Sequence, residues 1–250
     1  MKKVTIVIPV YNEKDTVKEL LEKIYNLHLD KFEKEIIIIE DNSNDGTREI
    51  VKDFCQRNPE CKLVLNDAPK GKGHAVRVGF EHASGDIFAI QDADLEYDVN
   101  DYQKLLRPFI KNNAQFVLGS RHLNENGDKL HMVRKFHGKE KIQAFFMNLG
   151  GYFIHGFFNL LYGKNISDPT TMYKLFTRDL YNKVTLTGNY FELDFEIVSK
   201  FVRLGYDPIE IPITYNARGF SKGKKIKLSR DIGKWLYMII SCRFLPKSKL

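Results

Sequence analysis

The chain has 250 residues, 43% hydrophobic and 28% charged, the make-up of an ordinary globular protein with room for one large domain or two small ones. Three cysteines (Cys55, Cys61 and Cys242), odd in number and without metal-ligand spacing, exclude a disulfide framework and fit a reducing compartment. The net charge of +7 is uneven: residues 1–100 hold 14 Lys/Arg against 20 Asp/Glu, whereas residues 211–250 hold ten Lys/Arg and one acid, Asp231, so the tail is either a solvated basic face or set to meet a polyanion.

Met1-Lys2-Lys3 runs directly into an apolar Val4–Ile8 ended by Pro9, too short for the apolar stretch of a signal peptide, so a cytosolic location is expected. Val4–Pro9 reads as a buried strand, and Glu13–Leu27 as a helix, with Val17, Leu20, Leu21 and Ile24 on one face. Glu35–Glu40 carries four consecutive isoleucines, the run expected of a strand covered on both sides. A helix to about Arg57, a strand at Lys62–Leu65, a helix over Gly73–His82 and a strand at Asp86–Gln91 follow, then a helix over Val99–Lys111 and a strand at Phe116–Gly119. Such alternation implies βαβ units and a mostly parallel, doubly wound α/β sheet of Rossmann-like type, whose ligands sit beyond the C-terminal ends of the strands.

The second half is less regular. Ile142–Tyr162 is 21 residues without a charge, close to the ~20 that span a bilayer. Asn148, His155 and Asn159 nevertheless fall on one stripe at helical spacing, which favours a buried core helix or a membrane-interface helix over a spanning one. A strand at Met172–Phe176, a helix over Leu193–Leu204, a strand at Pro208–Ile213 and a basic loop lead to an amphipathic C-terminal helix, Asp231–Phe244, where Trp235 and Tyr237 neighbour Lys234 and Arg243.

Chemistry concentrates at the strand ends. Asp92, Asp94 and Glu96 follow a buried strand at i, i+2 and i+4, so in an extended segment they converge. Three such carboxylates repel one another unless a cation sits among them, and hard oxygen ligands select Mg²⁺ or Mn²⁺; a solvated acidic loop is the plain alternative. The first strand stops at Pro9-Val10-Tyr11-Asn12-Glu13 and the second at Glu40-Asp41-Asn42-Ser43-Asn44-Asp45-Gly46. Asn12, Ser43 or Asp45 could cap the helices that follow, but capping needs one polar residue per turn, not a run of five. Lys70-Gly71-Lys72-Gly73 offers flexible backbone and cations before a helix N-terminus, suited to phosphate, without the spacing of a P-loop.

Taken in order, Ile8–Glu13, Glu40–Thr47, Lys70–Gly73 and Asp92-Ala93-Asp94 resemble the motifs of family 2 glycosyltransferases of the GT-A fold, a resemblance that runs from residue 4 to about 230. It implies a GT-A domain over 1–229, with a nucleotide-sugar half (1–121) and an acceptor half (122–229), followed by a basic amphipathic helix and tail over 230–250. It also implies that Pro9, Tyr11, Glu13 and Asp41 line the nucleotide pocket together with Lys72. Asp92 would meet the donor, a GDP- or UDP-sugar, while Asp94 and Glu96 hold the metal. Leu118-Gly119-Ser120-Arg121, Asp168–Lys174 and Ile209–Tyr215 with Arg218, Ser221 and Lys222 are similar to the branch of dolichol-phosphate-mannose synthases and their prokaryotic relatives. In that branch the acceptor is a polyprenyl phosphate, so Arg121, Arg218, Lys222 and Arg134 become candidates to grip phosphate. Glu96 departs from the branch's usual Gln, adding charge at the metal. Several of those enzymes continue into C-terminal membrane helices; here the hold on a bilayer is expected from 142–162 and the C-terminal helix, giving a peripheral protein on the cytosolic face.

The resemblance implies inverting, metal-dependent hexose transfer. A lipid phosphate, with its second pKa near ~6, is already a nucleophile at neutral pH; a sugar hydroxyl needs a carboxylate base, for which Glu192 and Asp194 stand where hydroxyl-using relatives place theirs. As a bare helix start, the two acids would merely suit the dipole. A nucleotidyltransferase would carry a Gly-rich basic loop after its first strand, where this chain has Tyr11-Asn12-Glu13. An inactive sugar-nucleotide binder would have little use for the full carboxylate set, and no stacking platform accompanies the basic tail to argue for nucleic acid.

Overall fold

The computed structural model describes residues 1–129, 140–218 and 228–250. Arg134 and Lys222, both candidates for phosphate, lie outside the described residues.

The first half builds as its pattern dictates. β1 (Lys2–Val10), β2 (Phe32–Glu40), β3 (Lys62–Leu65) and β4 (Ile87–Ile90) are parallel neighbours, with β1 between β2 and β4. The isoleucines of β2 are buried, as a strand covered on both faces requires. Three helices connect these strands: α1 (Val17–Asn26), α2 (Thr47–Arg57) and α3 (Lys72–Glu81). α1 buries Val17, Leu20, Leu21 and Ile24, the stripe read from its spacing. α4 (Tyr102–Lys111) then leads into β5 (Phe116–Ser120).

The second half completes the same sheet instead of making its own. α5 (Glu140–Tyr162) is followed by β6 (Lys174–Thr177), the short α6 (Arg178–Tyr181), α7 (Leu193–Arg203), β7 (Ile209–Pro212) and α8 (Leu228–Phe244). The strand order is β3-β2-β1-β4-β6-β5-β7. β6 is antiparallel to both neighbours, pairing Phe176 with Phe88 on one side and with Phe116 on the other. It begins at the edge where β5 ends, Lys174 lying beside Leu118, and so it must run backwards. Phe80, Phe88, Phe176 and Tyr181 pack with ring centroids 5.3–6.4 Å apart and lock α3, β4, β6 and α6 together.

α8 docks on α5 and α7 through Trp235 against Phe195 and through the Tyr162 hydroxyl, which donates to the Ile239 carbonyl at 2.9 Å. The polar stripe of α5 turns inward: Asn159 exchanges hydrogen bonds with Ile166, and His155 meets Thr170. Its other face leaves Phe145, Leu149, Phe153 and Leu160 exposed, and α8 adds Tyr237, Ile240 and Phe244. Among the described residues, no helix is long and apolar enough to cross a membrane.

Candidate functional site

The strand-end turns share one edge of the sheet and are tied to one another. Asn12 N donates to Ser43 Oγ at 2.9 Å, Asn44 N to Asn12 Oδ1 at 3.0 Å, and Glu13 N to Thr47 Oγ1 at 2.9 Å. Ser43 therefore bridges turns, and Asp45, accepting from Thr47 N, serves the start of α2. Asn12, Asn42 and Leu95 all have positive φ. Asparagine tolerates that region; leucine does so at a cost of order 1–3 kcal/mol, so the 93–96 turn is held against its own preference.

That turn corrects the extended geometry expected of 92–96. The strand stops at Ile90, and the turn at Leu95 (φ 61) sends Asp94 and Glu96 together while Asp92 faces Lys72. Lys72 Nζ lies 2.5 Å from Asp92 Oδ1. Asp94, Glu96 and Glu13, by contrast, surround one guanidinium. Arg218 Nη1 is 2.9 Å from Glu13, Nη2 is 3.0 Å from Asp94, Nε is 3.6 Å from Glu96, and the Arg218 amide donates to Glu96 Oε1 at 2.9 Å. Arg218, expected at the acceptor phosphate, here sits among the carboxylates expected at the metal. Burial and the neighbouring Asp92 and Glu96 push Asp94 up to about 7, with Arg218 pulling the other way. Burial alone would lower Lys72, but Asp92 and Asp194 carry it above the usual lysine value.

A cavity of roughly 560 Å³ opens over these groups. Pro9, Tyr11, Glu13, Asp41, Lys72, Asp92, Asp94, Glu96, Arg121, Asp194 and Arg218 all line it, so residues far apart in sequence are brought to one place. Glu192 does not line it. Its carboxylate accepts from the Asn189 and Tyr190 amides at 3.1 Å, and it shapes the turn before α7.

The glycine turn is also filled from within. Asp41 accepts from Asn66 Nδ2 and from the Lys70 and Gly71 amides at 2.7–3.1 Å, so an internal carboxylate takes the amides expected to meet phosphate. His74 N donates to the Asn189 carbonyl, and a Cβ on Gly73 would lie 2.6 Å from the Gly188 carbonyl. Glycine is needed there because the 188–190 loop crosses closely above.

Several pairings escaped the sequence reading. Arg121 is clamped by the fully buried Asp168 (Nε 2.7 Å, Nη2 2.8 Å) and lies over the rings of Tyr97 and Tyr215. Burial would raise Asp168, but the guanidinium holds it well below the usual carboxylate range. Among the described residues, ligand atoms of His122, His155 and Asp168 lie within 4.8 Å of one another. Both Asp168 oxygens already serve Arg121, so this trio is a poor cation site. Lys174, the lone charge in Met172–Phe176, has no exposed surface; its Nζ reaches Asp194 Oδ1 at 2.9 Å. A lysine inside an apolar strand was the available signal.

Residues 5–185 match the model of the family described as Glycosyl transferase family 2. The chain is 30% identical to a dolichol-phosphate mannosyltransferase of Pyrococcus furiosus over 89% of this chain and 59% of the relative, so it spans under two thirds of that protein. It is 28% identical to a dolichyl-phosphate beta-glucosyltransferase of Trichomonas vaginalis over 92% of this chain and 72% of the relative. Among solved structures, it resembles glucosyl-3-phosphoglycerate synthase from Mycobacterium tuberculosis in complex with Mn²⁺, UDP and phosphoglyceric acid (TM-score 0.69, 16% identity, 98% of this chain and 80% of that one). A mannosyltransferase from Pyrobaculum calidifontis in complex with GDP-Man and Mn²⁺ is similar at a TM-score of 0.56 and 21% identity, over 84% of this chain and 55% of that one. At these identities the structural likeness speaks for the fold.

Proposed function

This chain belongs to glycosyl transferase family 2, and from that premise we propose that it moves a hexose from a nucleoside-diphosphate donor to a polyprenyl phosphate, with inversion, at a membrane surface. The observation that carries this reading is the gathering of Glu13, Asp94 and Glu96 around a single cation, beside the Asp92–Lys72 pair, in one cavity at the strand ends. Three hard carboxylates already closing on a positive charge suit Mg²⁺ or Mn²⁺, and Glu13, Asp94 and Glu96 would hold the ion. When bound, such an ion neutralises the charge that grows on the departing diphosphate.

Pro9, Tyr11 and Asp41 form the wall offered to the nucleoside, and Asp92 faces the donor with Lys72 beside it as a counter-charge. Arg218 can trade its carboxylates for donor or acceptor phosphate as the ion arrives. Arg121, fixed by Asp168, offers a second cation in the same cavity. The acceptor's oxygen attacks the anomeric carbon from the face away from the diphosphate.

Two features favour phosphate over hydroxyl as the acceptor. Glu192 is spent on backbone amides outside the cavity, and Asp194 is paired with a buried lysine. A phosphate needs no base. The names of the dolichyl-phosphate relatives point the same way. The apolar faces of α5 and α8, with Lys234 and Arg243 on α8, support docking on an anionic bilayer.

The test is transfer of radiolabelled sugar from a panel of GDP- and UDP-sugars to a short polyprenyl phosphate, with Mg²⁺ or Mn²⁺. Organic-extractable product that vanishes with EDTA is expected. Donor hydrolysis without lipid product would overturn the lipid acceptor and leave the hydroxyl reading.

A further inference from the structure

Two groups of side chains line the cavity. Pro9, Tyr11 and Asp41 come from the ends of β1 and β2. Lys72, Asp92, Phe191 and Asp194 form the second group, in which Lys72 pairs with Asp92, feels the charge of Asp194 and stands 5.4 Å from the Phe191 ring centroid. In a nucleoside-diphosphate sugar, base and hexose lie on opposite sides of the diphosphate. With the nucleoside against the first group and the phosphates against Asp94, Glu96 and Arg218, as the proposed function has it, the second group is left for the hexose.

Asp194 is the acid of that group with one oxygen to spare. It stands in the first turn of α7, 9% exposed. Its Oδ1 accepts from Lys174 Nζ at 2.9 Å, and its Oδ2 makes no hydrogen bond among the described residues. Lys174 also donates to the Thr171 carbonyl and is fully buried at the start of β6. Pinned by one oxygen from below, Asp194 presents the other to the cavity. Sugar hydroxyls are donors, and a charged acceptor at a fixed position reads which carbon carries one and in which orientation. An ion pair this deep is a weak contributor to stability, since apolar residues of similar volume hold a fold as well or better. Its place on the cavity floor accounts for it more directly.

We propose that Asp194 determines which hexose is accepted, taking a hydroxyl of the donor sugar on its free oxygen, and that Lys174 is the positioning residue that aims it. Asp194 touches the sugar; Lys174 acts only through Asp194. This rests on the donor reading given under the proposed function, and the experiment separates the two.

Calorimetric titration with Mn²⁺ present would compare UDP and GDP with UDP-glucose and GDP-mannose on the wild type, Asp194→Asn, Lys174→Met and the double variant. For the preferred donor, Asp194→Asn is expected to weaken the nucleotide sugar roughly ten- to hundredfold, the worth of a hydrogen bond to a charged group, while bare nucleotide changes less than about twofold. Lys174→Met should show the same selective loss. The double variant, which removes both charges and so leaves none buried alone, should be no worse in that ratio than Asp194→Asn. It also serves if Lys174→Met does not fold. Equal losses for nucleotide and nucleotide sugar would make the pair purely structural and overturn the proposal, as would no loss at all. A Lys174 effect that persists with Asp194 already neutral would overturn the positioning role. Wild-type protein that binds neither bare nucleotide nor conjugate would overturn the donor reading itself, and this inference with it.

Discussion

Glu35, buried, and Asp94, half-buried, are carboxylates at opposite edges of the same sheet, and their surroundings act on them in opposite directions. At the N-terminal edge, Glu35 receives Thr5 Oγ1, Ser84 N, Ser84 Oγ and Lys62 Nζ. Burial alone would raise its pKa, but these donors bring it down to about 2. At the C-terminal edge, Asp94 has the Glu96 amide and one arm of Arg218, with two further acids close by, and is raised to about 7. Burial is common to both; the supply of donors is not. A carboxylate that the fold satisfies fastens strands together, whereas one left short of donors keeps its demand for a ligand.

The largest expected effect breaks the comparison at its functional end. Asp94→Asn should cut metal-dependent transfer by about a thousandfold without lowering the melting temperature of the metal-free protein. The sign follows from the raised pKa. Folded Asp94 keeps its proton up to about 7 against a reference of 3.8, so its ionisation withdraws stability as pH climbs through that window, and asparagine removes the loss. Thermal melts at pH 5 and 8 with and without the substitution check this; unchanged transfer would remove Asp94 from the metal site.

Glu35→Gln is the converse. It should cost about 1–3 kcal/mol of stability, because Lys62 and Thr5 lose a charged partner, and leave transfer per folded molecule alone. Its depressed pKa gives stability that is present above about 4.5 and is lost as pH falls toward 2, so the acid transition of the wild type should flatten in the variant. Denaturant titrations across that range are the measurement.

The smallest effect sharpens the contrast. Arg218 is the internal cation of the acidic cluster, so Arg218→Gln should tighten Mn²⁺ binding in the absence of donor by about tenfold, read by electron paramagnetic resonance, even as transfer slows. Weaker or unchanged Mn²⁺ binding would mean that guanidinium and ion do not share those carboxylates.

Much of this was legible in the sequence, for identifiable reasons. Periodicity located nearly every element, because β1, β2 and α1 obey simple burial rules over long runs. The acidic residues were visible because charge directly after a buried strand has few explanations. Three things were not. The direction of β6 depends on where the chain returns after α5, which no local pattern in Met172–Phe176 encodes. The Leu95 turn was hidden because leucine gives no sign of positive φ. The partners of Arg218, Asp41 and Lys174 stand up to 205 residues away in sequence, so pairing could not be inferred from spacing.

The place of β6 bears on how this chain comes into being. It fills the slot between β4 and β5, yet follows both, with the whole of α5 in between. As the polypeptide leaves the ribosome, β4 and β5 must therefore wait with open edges until Lys174–Thr177 arrives. A fragment ending after β5, attractive as a minimal nucleotide-binding piece, would keep those edges for good and offer them to other copies of itself. The strand that carries Asp92 and Asp94 at its end is thus completed by a segment made long after it, and the far edge of β5 waits longer still, for β7.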